Sequence, residues 1–334
     1  MGTKYLLIVF LLCFQLSRAQ SRFIRFTPNS FSNSFSLNEK PVLTLYPGDT
    51  VSTETIDAMG YDKKGVKRQK GGNLLTGPFY ISGAVPGDIL VLRLNKVNCN
   101  RNYAQTSEAI AGRAVTKKVS AQFGKWRLIK WKLDTVQGYA YTDSVYENIR
   151  DFRVPLHPFL GCIGVAPLSK KNEILSFFQG EFGGNLDFSK ITASSTVFLP
   201  VLHEGAYLYL GDGHALQGDG ELAGNALETS MDIEFTVDLI KNPPHSLTHP
   251  RVSNAEYNMA IGTAKKIDDA LKNATEELLQ WLQQDYRLTI QEAVQVLAAS
   301  IEYEIAEIAD PQVVVAAKIK KQLLTGLIKT TDGR

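Results

Sequence analysis

Cysteine is scarce in this 334-residue chain, which has three, and only Cys99 and Cys162 lie beyond the first twenty residues. Two cysteines allow at most one disulfide, so a small fold held together by several disulfides is excluded. The two thiols are consistent with one disulfide in an oxidising compartment or with two small buried side chains. Their spacing does not decide between these alternatives.

Long apolar runs are absent after the N-terminus, so no segment of the remaining chain is expected to span a membrane. The run from Tyr5 to Phe14 is itself too short to cross a bilayer. It follows Lys4 and precedes Ser17-Arg18-Ala19, which is the layout of a secretory signal peptide cut after Ala19. We therefore predict a signal peptide over residues 1–19 and a secreted or periplasmic mature protein.

An excess of charge of either sign is also lacking. The chain has 36 Lys and Arg against 34 Asp and Glu, and removal of the predicted signal peptide takes away Lys4 and Arg18 only, which leaves 34 of each. Nucleic acid requires a basic surface, so this balance argues against a nucleic-acid partner.

Familiar motifs of covalent catalysis are missing as well. The sequence has no Gly-x-Ser-x-Gly nucleophile elbow. Cys162 has apolar neighbours and no evident base nearby in sequence, so we expect it to be buried rather than reactive. If the protein is a hydrolase, a water activated by a metal or a carboxylate fits better than a covalent side chain.

Short strands separated by turns are predicted over residues 20–242. Pro47-Gly48-Asp49 and Pro86-Gly87-Asp88 suit type II turns. Ile89–Leu94 follows the second turn as a nearly continuous apolar strand. Met231–Leu239 alternates apolar and polar residues over nine positions, which indicates a strand with one solvated face. We predict a β-rich domain here.

The pattern changes after Pro243-Pro244, and residues 243–334 are predicted to form a smaller α+β portion packed on the first. Apolar residues recur at helical spacing from Ala264 to Tyr286, among them Ile267 and Leu271. Thr289 begins a capping box that opens a second helix to about Ile301. Strands are expected over Tyr303–Ile308 and Val313–Ala317, and we interpret this end as structural.

The most informative segment is Gly211–Glu221, with the sequence GDGHALQGDGE. Aspartate, histidine and glutamate are what a divalent metal or a general acid/base site requires. Glycine tolerates φ > 0, so the segment is predicted to fold as a tight loop between strands. The candidate site residues in it are Asp212, His214, Gln217, Asp219 and Glu221.

Three further places carry polar residues of interest. Glu181, Asn185 and Asp187 surround paired glycines, although a hairpin turn explains the same pattern. Asp57 ends a polar strand and is either a site residue or an ordinary surface residue. Asn73 is a further candidate, or a turn former.

These segments resemble the acetamidase/formamidase family of amide hydrolases. The resemblance runs in order from about Pro41 to Glu228 and continues more loosely beyond it. Its most specific part is GDGHALQGDGE. The other matching segments are Thr76–Ala84, Pro86-Gly87-Asp88, Pro158–Gly161, Gly164–Pro167, Gly183–Asp187, Leu199–Val201 and Ala226-Leu227-Glu228.

The resemblance implies a mainly β protein with β-sandwich or jelly-roll-like sheets, a bound divalent metal (zinc or calcium) and a homo-oligomer. It also implies hydrolysis of short aliphatic amides to a carboxylate and ammonia. Carried over by position, the metal ligands are Asp57, Asp212, His214 and Asp219. The catalytic residues are Asn73, Glu181, Asn185, Asp187 and Glu221, and Gln217 binds substrate.

Individual roles follow as hypotheses. The metal polarises the amide carbonyl and activates a water, Glu181 or Glu221 moves the proton to ammonia, and Asn73 or Asn185 stabilises the oxyanion. Two alternatives stay open: a secreted, non-catalytic β-sandwich that binds calcium or a glycan through the acidic loop, and a hydrolase of another C–N or ester bond.

Overall fold

The structure is a computed structural model that describes residues 21–124, 127–142 and 146–327. The predicted signal peptide therefore lies outside the described residues. The first eleven strands are β1 Phe23–Arg25, β2 Ser34–Ser36, β3 Leu43–Leu45, β4 Thr50–Glu54, β5 Leu75–Ile81, β6 Ile89–Cys99, β7 Tyr103–Ser107, β8 Leu128–Asp134, β9 Tyr139–Thr142, β10 Arg153–Pro155 and β11 Phe159–Gly164.

The later strands are β12 Glu173–Leu175, β13 Gln179–Gly180, β14 Gly183–Asn185, β15 Thr196–Pro200, β16 Leu208–His214, β17 Glu228–Thr229, β18 Met231–Ile240, β19 Arg251–Ser253, β20 Tyr257–Ala264, β21 Glu302–Glu307 and β22 Val313–Lys320. The helices are α1 Lys117–Ser120, α2 Ile267–Tyr286 and α3 Ile290–Ala298, with 3₁₀ turns at Glu147–Ile149 and Lys321–Leu324. None of the helices among these residues is long and apolar enough to cross a bilayer.

Two large sheets organise the described residues. The first has the order β1-β4-β18-β6-β15-β19-β20-β22-β21. The second has the order β10-β9-β8-β7-β17-β16-β11-β14-β13, with β5 also paired to β16 and β3 to β5. Strand β18 alternates buried and half-buried residues from Met231 to Asp238, as its sequence predicts. β6 begins at Ile89 as expected and is longer than predicted.

Both sheets contribute side chains to one hydrophobic core. Leu92 and Phe235 come from the first sheet, and Phe79, Leu160 and Tyr209 come from the second; all five are fully buried. Burial of one such side chain contributes about 1.5–3 kcal/mol. The prediction of a mainly β fold built from sandwiched sheets is confirmed.

Both Pro-Gly-Asp turns form as predicted. Gly48 and Gly87 take φ of 93° and 97°, the left-handed conformation that the third position of a type II turn requires. The amides of Asp49 and Asp88 close these turns by donating to the carbonyls of Tyr46 and Val85. Each turn leads directly into a strand of the first sheet, β4 at Thr50 and β6 at Ile89.

Helix α2 packs on strand β20 with most of the predicted apolar face, since Ala274, Leu278 and Leu282 are buried, but the first two positions of that face are exposed. Ile267 and Leu271, expected on the apolar face, are 41% and 38% exposed. A Cβ atom on Gly262 would lie 2.0 Å from the carbonyl oxygen of Ala270 and 2.4 Å from the amide of Ala274. The helix backbone therefore contacts the sheet at its alanines, which turns the larger Ile267 and Leu271 outward.

The C-terminal portion continues the first sheet rather than forming a separate layer. Strand β19 pairs with β15, so hydrogen bonding runs across the predicted division between residues 242 and 243. Thr289 caps α3 with the predicted capping box, and the helix ends at Ala298, three residues earlier than expected. Cys99 and Cys162 are both free thiols, and Cys162 is buried.

Candidate active site

Asp212 and His214 lie on strand β16 and not on the predicted loop. This strand pairs with β11 on one side and with β5 and β17 on the other, so both residues are at the centre of the second sheet. The positive φ expected of glycine falls on Asp212, at 55°. Gly211 is needed for a different reason: its Cβ would lie 2.4 Å from the carbonyl oxygen of Leu74. Gly211 and Gly213 thus permit close strand packing, whereas Gly220, in the loop after the strand, takes the predicted positive φ at 79°.

The Nε2 atom of His214 points into a group of buried carboxylates. It lies 3.3 Å from Glu228 Oε2, 3.5 Å from Asp212 Oδ2 and 3.9 Å from Asp187 Oδ1. All four side chains are at most 2% exposed. Such a concentration of carboxylates without solvent must be neutralised, either by bound protons or by a cation.

Several atoms of this group lack a hydrogen-bond partner among the described residues. They are Asp187 Oδ1, Asp212 Oδ1, His214 Nε2 and Glu228 Oε2. A buried polar atom left unsatisfied costs about 1–3 kcal/mol, so several of them converging on one space indicate a ligand site. The protein has two triplets that could hold a metal ion, Asp187–His214–Glu221 and Asp212–His214–Glu228. The donor set of one imidazole and several carboxylates fits such an ion.

Gly161 on β11 provides the space in which these side chains meet. A Cβ at this position would lie 2.5 Å from Asp187 Oδ1, 2.8 Å from His214 Cε1 and 2.9 Å from Asp212 Oδ2. The backbone of Gly161 also accepts hydrogen bonds from the amides of Leu186 and Asp187. The absence of a side chain therefore lets these three groups meet against the backbone of β11, and we call the space that they share beside Gly161 the recess.

Asn185 connects the other predicted catalytic residues. Its Oδ1 accepts from Asn73 Nδ2 at 3.1 Å and from the Cys162 thiol at 2.7 Å. Its Nδ2 donates to Asp187 Oδ2 at 2.5 Å and to Asp310 Oδ2 at 2.9 Å. Both N–H groups are thus engaged, and Asn185 has none left for an oxyanion.

Backbone strain is concentrated in the same residues. Asn73, Asp187, Asp212 and Glu221 all have positive φ, between 44° and 55°. Non-glycine residues in this conformation are uncommon and cluster at functional sites, where surrounding contacts maintain them. The structure therefore brings together Asn73, Asn185, Asp187, Asp212, His214 and Glu221 from the predicted set.

Three predicted site residues lie elsewhere. Glu181 is exposed in the two-residue turn that joins β13 to β14, as the hairpin alternative expects. Asp219 is exposed and outside both triplets. Asp57 is fully buried and forms an ion pair with buried Arg101, while its other oxygen accepts from the Tyr61 amide. The geometry supports no ligand or proton-transfer role for these three carboxylates.

Gln217 is close to the site, but its side chain is used within the protein. The Oε1 atom lies 3.1 Å from His214 Nδ1, and Nε2 donates to the carbonyls of Asp187 and Ala306. No free group of the amide faces the recess, so this geometry does not support the predicted substrate-binding role.

Three carboxylates at the site, two buried and one half-buried, were missed from the sequence. Glu228 is buried and ends the last motif of the family resemblance, on β17 opposite His214. Buried Glu307 ends β21 and half-buried Asp310 lies in the turn between β21 and β22, in the portion interpreted as structural. Their only sequence signal was the acid-rich strand ahead of Asp310-Pro311. The site is therefore built from both parts of the chain.

Burial raises the pKa of most of these carboxyl groups. The pKa values of Asp187 and Glu221 are well above their usual range, and desolvation together with neighbouring carboxylates causes this. Burial raises the pKa of Glu228 to about 7. Burial alone would lower the pKa of His214, but Glu228 and Asp212 outweigh it and the pKa is raised well above 6.5. Without a metal, the cluster therefore retains protons near neutral pH, and metal binding must release them.

The raised pKa of Glu307 is expected to make the unfolding free energy depend on pH. Burial raises its pKa from 4.5 to about 7. Its stabilising contribution is therefore fully present below pH 4.5 and is lost as the pH rises through about 7, a change of about 3 kcal/mol. Because a glutamine stays neutral, Glu307→Gln should make the fall in unfolding free energy between pH 5 and 8 shallower in metal-free protein, measured by urea denaturation.

Glu292 is the control, because its pKa is lowered by its hydrogen bonds to Thr289 in the α3 cap. Glu292→Gln should therefore leave the fall between pH 5 and 8 unchanged. A slope in Glu307→Gln equal to that of the unmodified protein would show that this carboxyl is ionised over the whole range.

Comparison with known proteins identifies relatives of this chain. The family model described as the acetamidase/formamidase family matches residues 178–323. An acetamidase of Mycolicibacterium smegmatis is 48% identical over 62 residues, 18% of this chain and 15% of that protein. A protein of Schizosaccharomyces pombe with formamidase in its name is 25% identical over 222 residues, 50% of this chain and 52% of that protein. The matches thus span about half or less of these relatives.

The fold similarity extends over nearly the whole chain. The crystal structure of an acetamidase from Yersinia enterocolitica is 28% identical, with a TM-score of 0.79 over 92% of this chain and 94% of that one. The family match includes β14, β16, β17 and the β21–β22 turn, which carry the buried site. The chain is therefore similar to the acetamidase/formamidase family in sequence over residues 178–323, and to an acetamidase in fold over nearly its whole length.

Proposed function

We propose that the protein hydrolyses short aliphatic amides to a carboxylate and ammonia at the recess beside Gly161. The observation that carries the proposal is the buried cluster around His214 Nε2 beside Gly161: Asp187, Asp212 and Glu228 surround this atom, and each of the four residues has an atom without a hydrogen-bond partner among the described residues. The names of the relatives support amides as the substrate class, and the family match includes the residues concerned.

The chemistry of the donor set favours zinc over calcium. Calcium takes six to eight oxygen ligands, whereas zinc combines imidazole nitrogen with carboxylate oxygen. In our proposal His214, Asp212 and Glu228 would hold the ion, and Asp187 and Glu221 form a second triplet with His214 that could contribute to it. A bound zinc ion supplies polarisation of the amide carbonyl and a lower pKa for water.

Proton transfer is assigned to Glu221 and Glu307. The two carboxyl groups interact, and burial raises the pKa of both. A carboxyl whose pKa is about 7 exchanges a proton readily near neutral pH, as transfer to the leaving ammonia requires. Glu307 thus replaces Glu181, which is exposed, as the partner of Glu221 in this role.

Asn73 is the better candidate for contact with the substrate oxygen. It uses one N–H to bind Asn185 Oδ1, so its amide nitrogen retains a second donor. It is half-buried, unlike the fully enclosed carboxylates. We therefore place Asn73 at the edge of the recess, where the substrate amide enters. Its free N–H would stabilise the developing oxyanion.

A screen for ammonia release, combined with metal analysis of the purified protein, tests the function. Formamide, acetamide and longer amides are compared before chelation, after chelation and after zinc is restored. We expect bound zinc, turnover of at least one short amide, loss on chelation and recovery with zinc. Asp219→Asn is the control and should retain both metal and turnover, because Asp219 is exposed away from the recess.

The same screen separates the alternatives. Full turnover in metal-free protein would favour water activated by carboxylates alone. Bound calcium with no turnover of any amide or ester would favour the non-catalytic protein. The latter receives less support from the geometry, because a binding loop needs accessible acids and Asp212, His214 and Glu221 are buried.

Export and assembly are proposed on the sequence and the family resemblance alone. We propose that the chain acts outside the cytoplasm after cleavage behind Ala19 and that it forms a homo-oligomer. N-terminal sequencing of the protein recovered from its native source and light scattering of the purified protein test the two statements.

A further inference from the structure

We infer that Gln217 is a positioning residue that holds the proton of His214 on Nδ1 and so presents the Nε2 lone pair to the metal. The inference rests on the zinc site of the proposed function, but it concerns a residue that does not touch metal or substrate. It follows from the hydrogen-bonding capacities of four groups in contact.

The orientation of the Gln217 amide is determined by two backbone carbonyls. One end of the amide lies 2.8 Å from the carbonyl oxygen of Asp187 and 3.0 Å from that of Ala306. A carbonyl only accepts, so the atom facing both must be the NH₂ group, which has two protons to donate. The usual ambiguity between oxygen and nitrogen in a glutamine side chain is thereby resolved.

The tautomer of His214 follows from this orientation. The remaining atom of the amide, Oε1, lies 3.1 Å from His214 Nδ1 and can only accept. A favourable contact therefore requires a proton on Nδ1. Nε2, which faces the carboxylates and has no hydrogen-bond partner, is then free to donate its lone pair.

The position of the imidazole ring is fixed at the same time. The ring of Phe159 contacts His214 edge-on, with centroids 4.9 Å apart and an interplanar angle of 87°. This contact restrains the ring but cannot select a tautomer. Gln217 supplies that selection, and it joins β16 to the Asp187 segment and to β21, which carries Glu307.

The test uses protein loaded with zinc and labelled with ¹⁵N at histidine, of which the chain has five. Long-range ¹H–¹⁵N spectra distinguish a protonated Nδ1 from a protonated Nε2. We expect Nδ1–H and metal-bound Nε2 for His214 in the unmodified protein. In Gln217→Leu zinc affinity should fall about 10- to 100-fold, the usual effect of removing such a partner, so that the pattern is lost at a zinc concentration just sufficient to saturate the unmodified protein.

Two variants separate positioning from general stability. Gln217→Glu can still accept from Nδ1–H but cannot donate to both carbonyls, so it should keep the His214 pattern while losing stability. Gln179→Leu is the matched control. Gln179 is a buried residue whose side-chain amide donates to the carbonyl of Gln312, just before β22. Its hydrogen bond does not involve His214. Gln179→Leu should lower the melting temperature and leave the His214 spectrum and zinc affinity unchanged.

The inference is overturned if Gln217→Leu retains both the His214 spectrum and the zinc affinity while losing only as much stability as Gln179→Leu. If Gln217→Leu does not fold, Gln217→Met, which keeps the length and removes the hydrogen bonds, is measured in its place. Because neither readout involves substrate, failure here is distinct from absence of amidase activity.

Discussion

Replacement of Gly161 by alanine is expected to abolish metal binding and amide hydrolysis together. The added methyl group would lie within 3 Å of Asp187, Asp212 and His214, all fully enclosed. Their side chains cannot all withdraw, because Asp187 is held by Asn185 and His214 by Gln217. The methyl group would therefore fill the recess in which the metal and the amide carbonyl are proposed to meet. Overpacking of this kind also costs about 1–3 kcal/mol of stability.

The measurement is zinc content and ammonia release, with the melting temperature recorded in parallel. Gly180→Ala is the control, since its Cβ would press on the Phe182 ring at 3.0 Å, away from the carboxylates. It should lower stability and retain zinc and turnover. Retention of full activity by Gly161→Ala would place the reaction outside this recess.

Replacement of Asp57 by alanine is expected to cause the largest loss of stability among single changes near the site. Asp57 and Arg101 are at most 2% exposed, so the variant leaves a guanidinium buried without its carboxylate. Removal of one partner of a buried pair costs about 3–5 kcal/mol. Arg101 also donates to the Glu228 carbonyl and to Thr229 Oγ1, so its displacement would move β17 and the Glu228 side chain.

Denaturation by guanidinium chloride with zinc analysis distinguishes this role from the ligand role predicted for Asp57. Asp238→Ala is the control, because its pair with Arg93 lies at the surface and is worth at most about 1 kcal/mol. If Asp57→Ala lost zinc while retaining its unfolding free energy, Asp57 would be a ligand after all.

The parts of the fold that were predictable are those that local chemistry determines. Alternation in Met231–Ile240, the Pro-Gly-Asp turns and the Thr289 capping box each depend on residues adjacent in sequence, and all three form as predicted. The exposure of Ile267 and Leu271 at the start of α2 was not predictable. It depends on Gly262, a residue of another element whose missing side chain admits the helix backbone.

The site residues divide in the same way, into those recognisable from adjacent residues and those that depend on distant ones. Asp212, His214 and Glu221 were recognisable because they share one segment with a specific motif. Glu307 and Asp310 were not, because acids at a strand end or in a turn are usually solvated, and only tertiary packing removes these two from solvent. Asp57 was assigned to the metal from its position in the family pattern, whereas its partner Arg101 is 44 residues away and nothing in the sequence pairs them.

The bond from Asn185 to Asp310 joins residues 125 positions apart, and Gln217 reaches Ala306 across 89. During synthesis, the segment with the His214 motif therefore emerges long before the strands that complete its surroundings. Until the β21–β22 turn has docked, the nascent chain has its candidate ligands, but Asn185 lacks its bond to Asp310 and Gln217 lacks its bond to Ala306. A metal ion captured with full affinity would consequently report that the last strands of the first sheet are in place, which makes metal retention a measure of complete folding as well as of catalytic competence.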